Sequence, residues 1–320
     1  MNFEAIESEV DKKRRQGIAL VNHELDLLPA GERLIIVKLD NEIYHACKGI
    51  SSSHIKYYSS HCGESYRAKY LSRPEEIAHQ AILKQYSQTV QKSIFETGTA
   101  FHALLLEPGE FAFRYIRRPD KFQTRGSNAY KAFAAEKRAQ GITVLDPKTF
   151  YDLKYFYQVA KQHEELQNIL RLANCEVSYF YHDPESGLIL KCRADISIDL
   201  PESRIFYDPK TCECASKSQF ERTAANCGYY LQDVMYCDVG ECDQFYFIAI
   251  ERHLPFIINM PLVLDDPHER QLAKAKYRQC VLAIADSLET GDWSDYESGS
   301  FHLPIYLTRS LENEFEYEYE

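Results

Sequence analysis

The chain has 320 residues, ten cysteines and a formal net charge of −11 at pH 7, with a pI near 5.5. This length accommodates one large α/β domain with extensions, and no linker rich in Gly, Pro or Ser divides the chain. The acidic balance excludes a protein coated with DNA-binding surface, but it is compatible with a localised basic channel.

The sequence carries no sign of a membrane or secretory protein. It contains no run of eighteen apolar residues, and its polar start, Met-Asn-Phe-Glu-Ala, does not read as a signal peptide. We therefore expect a cytoplasmic protein with no membrane contact, in which the cysteines remain reduced thiols.

The N-terminal half is predicted to be mostly helical. Apolar residues at three-and-four spacing indicate a helical segment over about residues 3–24, and a short strand follows at 34–39. Further helices are predicted at 52–71, 74–92, 94–106, 127–139 and 147–172, with one strand at 111–116.

The C-terminal half is predicted to contain a sheet. Its strands are expected at 176–182, 188–198, 204–208, 244–251 and 256–264, and the last helix at 267–290. Antiparallel strands, a crossover helix and a further strand are typical of an α/β fold with a mixed β-sheet flanked by helices.

Two neighbouring strands of this sheet carry the most informative pattern. The segment Lys191-Cys-Arg-Ala-Asp195 alternates in period two, and Asp208-Pro-Lys210 follows on the next strand. Asp208 and Lys210 fall on one side of their strand, roughly 6.5–7 Å apart. Carboxylates of this kind suit Mg²⁺ or Mn²⁺, and a neighbouring lysine can stabilise charge during phosphodiester cleavage.

An Asp-x-Lys triplet is not specific without its context. Asp11-Lys-Lys13 and Asp152-Leu-Lys154 have the same spacing, but one lies in a charged N-terminal segment and the other opens a helix. Neither ends a strand whose hairpin partner also ends in Asp, so the Asp208 triplet is the better candidate.

The helix after the triplet is predicted to border the same cleft. Ser216 or Ser218 can cap it, and Gln232 and Tyr236 share one face at i and i+4, together with Tyr229. An apolar stripe on an adjacent face predicts packing against the sheet, and it is formed by Phe220, Ala224, Cys227, Leu231 and Val234.

These motifs, in their order, resemble those of RecB-type PD-(D/E)xK nucleases, and in detail the RecE-like exonucleases of the exonuclease VIII type. Upstream, the run Gly98-Thr-Ala-Phe-His102 resembles the histidine motif of that set, and 43–53 resembles the start of the RecE-like domain. The resemblance implies a PD-(D/E)xK nuclease core at 36–310, preceded by a helical extension at 1–35. The run of Glu residues near the C-terminus predicts a solvated acidic tail at 311–320.

The resemblance implies a role for each motif residue. His102, Asp195 and Asp208 would bind Mg²⁺ (or Mn²⁺) together with the backbone carbonyl of Pro209, and Lys210 would orient or deprotonate the attacking water. Catalytic groups or DNA would be positioned by Gln232 and Tyr236. Without the resemblance, His102 on its apolar helix would more often be a core histidine, and Glu107 a helix end.

Residue 209 departs from the family pattern, which has a branched apolar residue there. Proline keeps a carbonyl for the metal but lacks an N–H for the strand ladder. We therefore expect the strand to bulge or lose a pairing at this point.

The resemblance also implies an activity and partners. The chain would be a metal-dependent exodeoxyribonuclease that degrades one strand of linear double-stranded DNA, 5′ to 3′, in recombination or repair. It would act as a homo-oligomeric ring, with a tetramer favoured, beside a single-strand annealing protein. A PD-(D/E)xK endonuclease and a non-catalytic DNA-binding recombination partner remain the alternatives.

Basic residues provide candidate DNA contacts. Arg117, Arg118 and Arg125 follow the histidine motif, and Lys191 and Arg193 precede Asp195. Phosphate binding is one interpretation, and pairing with nearby carboxylates is the other.

Some relatives of these nucleases bind an iron–sulfur cluster through four cysteines. The groupings Cys212-x-Cys214 and Cys237-x4-Cys242 do not reproduce that spacing, and no pair of C-x2-C units predicts a zinc site.

Overall fold

The computed structural model describes residues 9–86, 91–296 and 298. Its helices are α1 Glu9–Leu27, α2 Asn41–Ala46, α3 Ser52–Tyr58, α4 Gly63–Tyr70, α5 Pro74–Tyr86, α6 Gln91–Leu106, α7 Pro108–Arg114, α8 Asn128–Ala139, α9 Pro147–Gln162, α10 Glu164–Leu172, α11 Lys217–Asn226, α12 Tyr229–Gly240 and α13 Pro267–Thr290. Its strands are β1 Arg33–Val37, β2 Tyr115–Arg117, β3 Thr143–Leu145, β4 Asn174–His182, β5 Ile189–Leu200, β6 Ser203–Cys212, β7 Gln244–Glu251 and β8 Ile258–Leu262.

Six strands form one mixed sheet in the order β1-β4-β5-β6-β7-β8. All neighbours in this sheet are antiparallel except β6 and β7, which are parallel and are connected through α11 and α12. A parallel pair requires such a crossover, because the chain must return to the starting edge. The predicted α/β fold with a mixed sheet flanked by helices is therefore confirmed.

The sheet is buried on both faces. Strand β7 shows this directly, since Phe245, Phe247 and Ala249 contact one core whereas Ile248 and Ile250 contact the other. The first core lies against α3, α4, α12 and α13, and the second against α6, α7, α9 and α10. A third, smaller cluster joins α1 and α2 to Phe180. Strand β7 is therefore apolar in both alternating sets, as expected of a strand between two helical layers.

Several element boundaries differ from the prediction because of local capping. The strand expected at 111–116 is mainly helix α7, where Pro108 takes the first helical turn and Phe111 is buried. The helix expected at 147–172 is divided at His163, whose ring accepts a hydrogen bond from the backbone N–H of Leu166 and so caps α10. The helix after the triplet is divided at Gly228, which has a φ of +64°.

The sheet divides at the centre of β5 and β6, and we call the point where these strands separate the fork. Pairing between these strands ends at Ile196 and Tyr207, although β6 remains paired with β7 as far as Cys212. The next two positions in the same register are Asp195 and Asp208. Beyond the fork, the segment around Ile50 forms a bridge with Leu190 of β5. Pro209 thus lies where β6 has lost its β5 partner, as its missing N–H predicted.

The expected boundary between the N-terminal extension and the nuclease core, at residue 35, falls within strand β1. This strand lies at an edge of the main sheet, and the domain limits stay a prediction. The acidic tail at 311–320 lies outside the described residues.

All ten cysteines are free thiols. In the described part of the chain, no helix combines the length and apolar character that a membrane span requires.

Candidate active site

The first half of the site joins β5 to α6 across the fork. His102 Nδ1 lies 3.3 Å from Asp195 Oδ2, and both side chains are partly exposed. Burial alone would lower the pKa of His102 and raise that of Asp195. The charge of each group shifts the pKa of its partner in the opposite direction, and this effect prevails. The pKa of His102 is therefore raised and that of Asp195 lowered, so the pair favours an imidazolium beside a carboxylate.

The second half of the site joins β6 to α12. Lys210 Nζ lies 2.6 Å from Asp208 Oδ1, and Gln232 Nε2 donates a hydrogen bond to Asp208 Oδ2. Asp208 is buried, and within the described part of the chain its Oδ1 receives no hydrogen bond of good geometry, although the ammonium is close. Asp208 and Lys210 therefore share one side of their strand, as the period of two predicted.

Burial and charge oppose each other at these two groups. Burial and the neighbouring Asp195 raise the pKa of Asp208 despite the Lys210 ammonium. Burial would lower the pKa of Lys210, but Asp208 and Asp195 raise it. Two neighbouring carboxylates, of which Asp208 is buried, thus need added positive charge, which a protein supplies with basic side chains or a metal ion.

The donor set fits a hard divalent cation. Asp195 and Asp208 supply carboxylate oxygens, His102 an imidazole nitrogen and Pro209 a backbone carbonyl, which together suit Mn²⁺ or Mg²⁺. The buried Asp208 Oδ1 without a hydrogen bond is the atom that such an ion would satisfy. Among the described residues, no three His, Cys, Asp or Glu side chains are gathered into a ligand cluster, and both carboxylates turn towards protein cations instead.

Tyr236 lies one turn after Gln232 on α12. Its ring meets Phe245 edge-on, with centroids 5.5 Å apart. Burial and the charges of nearby groups, including Asp208 and Asp195, raise the pKa of Tyr236 well above its usual value. The phenol therefore remains neutral and lies within the electrostatic field of the carboxylates.

The structure adds two residues that the sequence did not single out, Lys56 and Glu176, and gives Tyr229 a contact with the site. Lys56 on α3 donates to Gln232 Oε1 at 3.3 Å. Glu176 on β4, with a φ of +58°, forms an ion pair with Arg193 close to Asp195. Tyr229, named only for its helix face, has its ring 5.0 Å from Lys210 Nζ. Lys56 and Glu176 lie in no recognisable motif, so no signal in the sequence marked them.

Lys191 does not lie on a DNA-accessible surface. The residue is 3% exposed, and Nζ donates to the carbonyl oxygens of Tyr44, His45 and Cys47 at 2.9, 3.4 and 2.6 Å. Those carbonyls end α2, where an ammonium satisfies acceptors that have no helical partner. A buried group with three acceptors has no donor to offer a phosphate, so we do not retain Lys191 as a DNA contact.

Arg193 is close to the site but paired. Its Nε donates to Glu176, whereas its Nη1 is buried and has no hydrogen-bond partner among the residues that the structure describes. The guanidinium also lies 5.6 Å from the ring centroid of Tyr44. Arg193 therefore contributes positive charge beside Asp195, and its contact with DNA stays a prediction.

The three arginines after the histidine motif lie around β2 and its following loop, each beside a carboxylate. Arg117 pairs with Asp120, whereas Arg118 and Arg125 share Asp146 at 3.3 and 2.5 Å. Upstream, Glu107 pairs with Arg114 rather than with the site. The arginine side chains are 28%, 16% and 44% exposed in chain order, so Arg125 is the most available of them.

Two solved structures resemble the chain at 12% sequence identity. One is a protein from Eubacterium rectale described as "Putative exonuclease", with a TM-score of 0.49, which covers 84% of this chain and 97% of its own. The other is the protein SSO0001, with a TM-score of 0.31 and 87% of each chain covered. A comparison with curated proteins found no match.

A protein family gives the stronger match. The sequence model of a PDDEXK-like domain of unknown function, DUF3799, matches residues 53–292, three quarters of the chain. The matched range contains the site residues His102, Asp195, Asp208, Lys210 and Gln232. The chain therefore belongs to the DUF3799 family of PDDEXK-like domains and has the fold of the PD-(D/E)xK nuclease superfamily.

Proposed function

We propose that this protein is a metal-dependent exodeoxyribonuclease that hydrolyses one strand of linear double-stranded DNA. The observation that carries the proposal is the pair of carboxylates at the strand fork, with Lys210 Nζ 2.6 Å from Asp208. Membership of the PDDEXK-like family supports nuclease chemistry at this pair. The choice of an exonuclease, and of 5′ to 3′ polarity, rests on the resemblance of the motifs to RecE-like enzymes.

Each side chain of the site has a separate role in phosphodiester hydrolysis. His102 and Asp195 hold each other on one side of the fork, and Gln232 holds Asp208 Oδ2 on the other. Asp195, Asp208, His102 and the Pro209 carbonyl would hold Mg²⁺ or Mn²⁺, which when bound polarises the phosphate and acidifies a water. Lys210, a donor-only ammonium, orients the water and stabilises the negative charge that develops.

The experiment that tests this function compares two forms of the same DNA. End-labelled linear duplex and closed circular duplex are incubated with the protein in Mg²⁺ or Mn²⁺, with EDTA as the control. We expect degradation of the linear form alone and none in EDTA. Cleavage of the circle would select an endonuclease, and binding without cleavage would select a non-catalytic recombination partner.

Label position separates the two polarities in the same reaction. A 5′-labelled strand that releases its label as the first product supports 5′ to 3′ digestion, whereas early release of a 3′ label contradicts it. The proposed setting is DNA recombination or repair, where a resected end leaves the single strand that an annealing protein binds. The proposed assembly is a homo-oligomeric ring, with four subunits favoured.

A further inference from the structure

The fork between β5 and β6 positions a lysine that none of the site motifs contains. The N–H of Ile50 donates to the carbonyl of Ile189 at 2.8 Å, and its carbonyl accepts from the N–H of Lys191 at 2.8 Å. This pairing replaces the one that β5 lacks with β6 and sets α3 against the fork. Lys56, in the last turn of α3, thereby reaches α12.

Lys56 is held by contacts along its whole length. Its Nζ donates to Gln232 Oε1 at 3.3 Å and lies 5.8 Å from the ring centroid of Tyr229. A Cβ atom at Gly228 would lie 3.0 Å from Lys56 Cγ, so the lysine stem occupies the space that glycine leaves. The lysine is therefore fixed where the N-terminus of α12 begins.

The amide of Gln232 has a donor end and an acceptor end. Only its NH₂ group can donate to Asp208 Oδ2, and a flipped amide would place two oxygen acceptors against each other. An ammonium is a donor only, so it bonds the carbonyl end and excludes the flipped orientation. We propose that Lys56 is a positioning residue that orients the Gln232 amide towards Asp208. The proposal rests on the nuclease function proposed above.

The electrostatics support a functional reason for this lysine. Burial, followed by the charge of Lys210, lowers the pKa of Lys56 to about 8. An apolar side chain of the same length would fill the space without bringing a second cation near Lys210. The sequence instead keeps an ammonium here, which agrees with a need for its donor.

A spectroscopic experiment tests the orientation without requiring catalysis. Wild-type protein, Lys56→Met and Lys274→Met are labelled with glutamine carrying ¹⁵N in its side chain, and Gln232→Ala identifies the Gln232 resonance. We expect a distinct, slowly exchanging NH₂ signal in the wild type that is lost in Lys56→Met. Lys274, an exposed lysine on α13, is the matched control and should leave the signal unchanged.

Cleavage rates then test whether Lys56 acts through Gln232. Lys56→Met should lower kcat about tenfold or more with KM nearly unchanged, and adding it to Gln232→Ala should lower kcat by less than about twofold further. Independent, multiplying effects of the two substitutions would overturn the proposal, as would a Gln232 signal that survives Lys56→Met. If Lys56→Met does not fold, Lys56→Arg keeps a cationic donor and should retain the signal; its loss there is the contrary result.

The two parts of the experiment fail separately. A wild-type protein that cleaves no DNA would refute the proposed nuclease, while the Gln232 resonance would still decide the role of Lys56. A cleaving wild type whose Gln232 signal ignores Lys56 would refute the positioning role and leave the nuclease intact.

Discussion

At the scale of the residue, the two carboxylates of the site differ in their partners and therefore in their ionisation. His102 outweighs burial at Asp195 and lowers the pKa of that carboxyl, whereas burial prevails at Asp208 even with Lys210 beside it. A fork in the sheet allows this difference, because one carboxylate faces α6 and the other faces α12. Both helical layers thereby contribute to one site.

The first prediction concerns the two carboxylates. Asp195→Asn and Asp208→Asn should each abolish DNA cleavage and Mn²⁺ binding, because each removes a charged ligand while keeping the side-chain volume. Endpoint digestion and isothermal titration with Mn²⁺ provide the measurements, and the melting temperature checks the fold. Full activity of both variants would refute the site.

Lys210→Ala should separate metal binding from turnover. We expect Mn²⁺ binding to remain measurable and kcat to fall by about 10²–10³-fold, since the lysine acts on the water and the developing charge. Lys217→Ala, an exposed lysine at the start of α11, is the control that should keep the wild-type rate. Equal rates for Lys210→Ala and the control would exclude Lys210 from the chemistry.

A second lysine, Lys191, is predicted to be structural. Lys191→Met leaves buried carbonyl oxygens at the end of α2 without their donor, so we expect a loss of about 2–4 kcal/mol in the free energy of unfolding. Urea denaturation measures it, and affinity for DNA should depend on salt as in the wild type. A stable variant with a shallower salt dependence would restore Lys191 as a phosphate contact.

The same variant has a predicted pH dependence. Burial lowers the pKa of Lys191 from 10.5 to about 8, so between those values the unfolded lysine keeps a proton that the folded one has released. Since the unfolded state then binds more protons, this group raises the free energy of unfolding as pH rises from about 8 to 10.5. Wild type minus Lys191→Met should show that increase, and a difference independent of pH would contradict it.

At the scale of the element, the region around β2 tests whether paired arginines also bind DNA. Arg125→Ala removes the most exposed of the three guanidinium groups, and we expect it to reduce the slope of log affinity against log salt by about 0.9 at unchanged melting temperature. Arg118→Ala removes a largely buried partner of Asp146, so we expect a lower melting temperature and an unchanged slope.

The control for this element is Arg171→Ala, an exposed arginine at the end of α10 that should change neither quantity. Binding is measured by fluorescence anisotropy on one duplex at several salt concentrations, with Ca²⁺ in place of Mg²⁺. Unchanged slopes for Arg117→Ala, Arg118→Ala and Arg125→Ala together would remove this cluster from the DNA path.

At the scale of the whole molecule, a net charge of −11 limits how DNA can approach. A ring whose basic side chains line its channel would place DNA against local positive charge while most of the acidic surface faces solvent. From the resemblance to RecE-like enzymes we propose a homo-oligomer with four subunits favoured, which sedimentation velocity at micromolar concentration would detect. Asp208→Asn should sediment in the same way, because that residue is buried inside one subunit.

The contrary outcome for the ring is specific. A protein that sediments as a monomer and yet digests a long duplex in a single encounter, with excess competitor DNA present, would show that processivity does not need a closed assembly. In that case the proposed partner role with an annealing protein would need a different structural basis.

The sequence by itself determined the structural features that depend on local periodicity. Alternation placed Asp208 and Lys210 on one side of β6, and the missing N–H of Pro209 predicted the lost pairing found beside it. The spacing of Gln232 and Tyr236 on a helix was also local information. These predictions hold because period two and period 3.6 are properties of the backbone, independent of what packs against it.

Only the tertiary structure decided which distant groups meet at the fork. Lys191 and Lys56 are both lysines near the motifs, yet one binds the end of α2 and the other reaches Gln232, 176 residues away along the chain. Lys191 satisfies carbonyl oxygens at a buried helix end, and Lys56 satisfies the oxygen of a buried amide. Neither requirement is visible in a local sequence pattern. Contacts across such sequence distances depend on where the sheet divides and on the pairing of Ile50 with β5 there. A buried charge needs a partner, and only the folded chain brings that partner close.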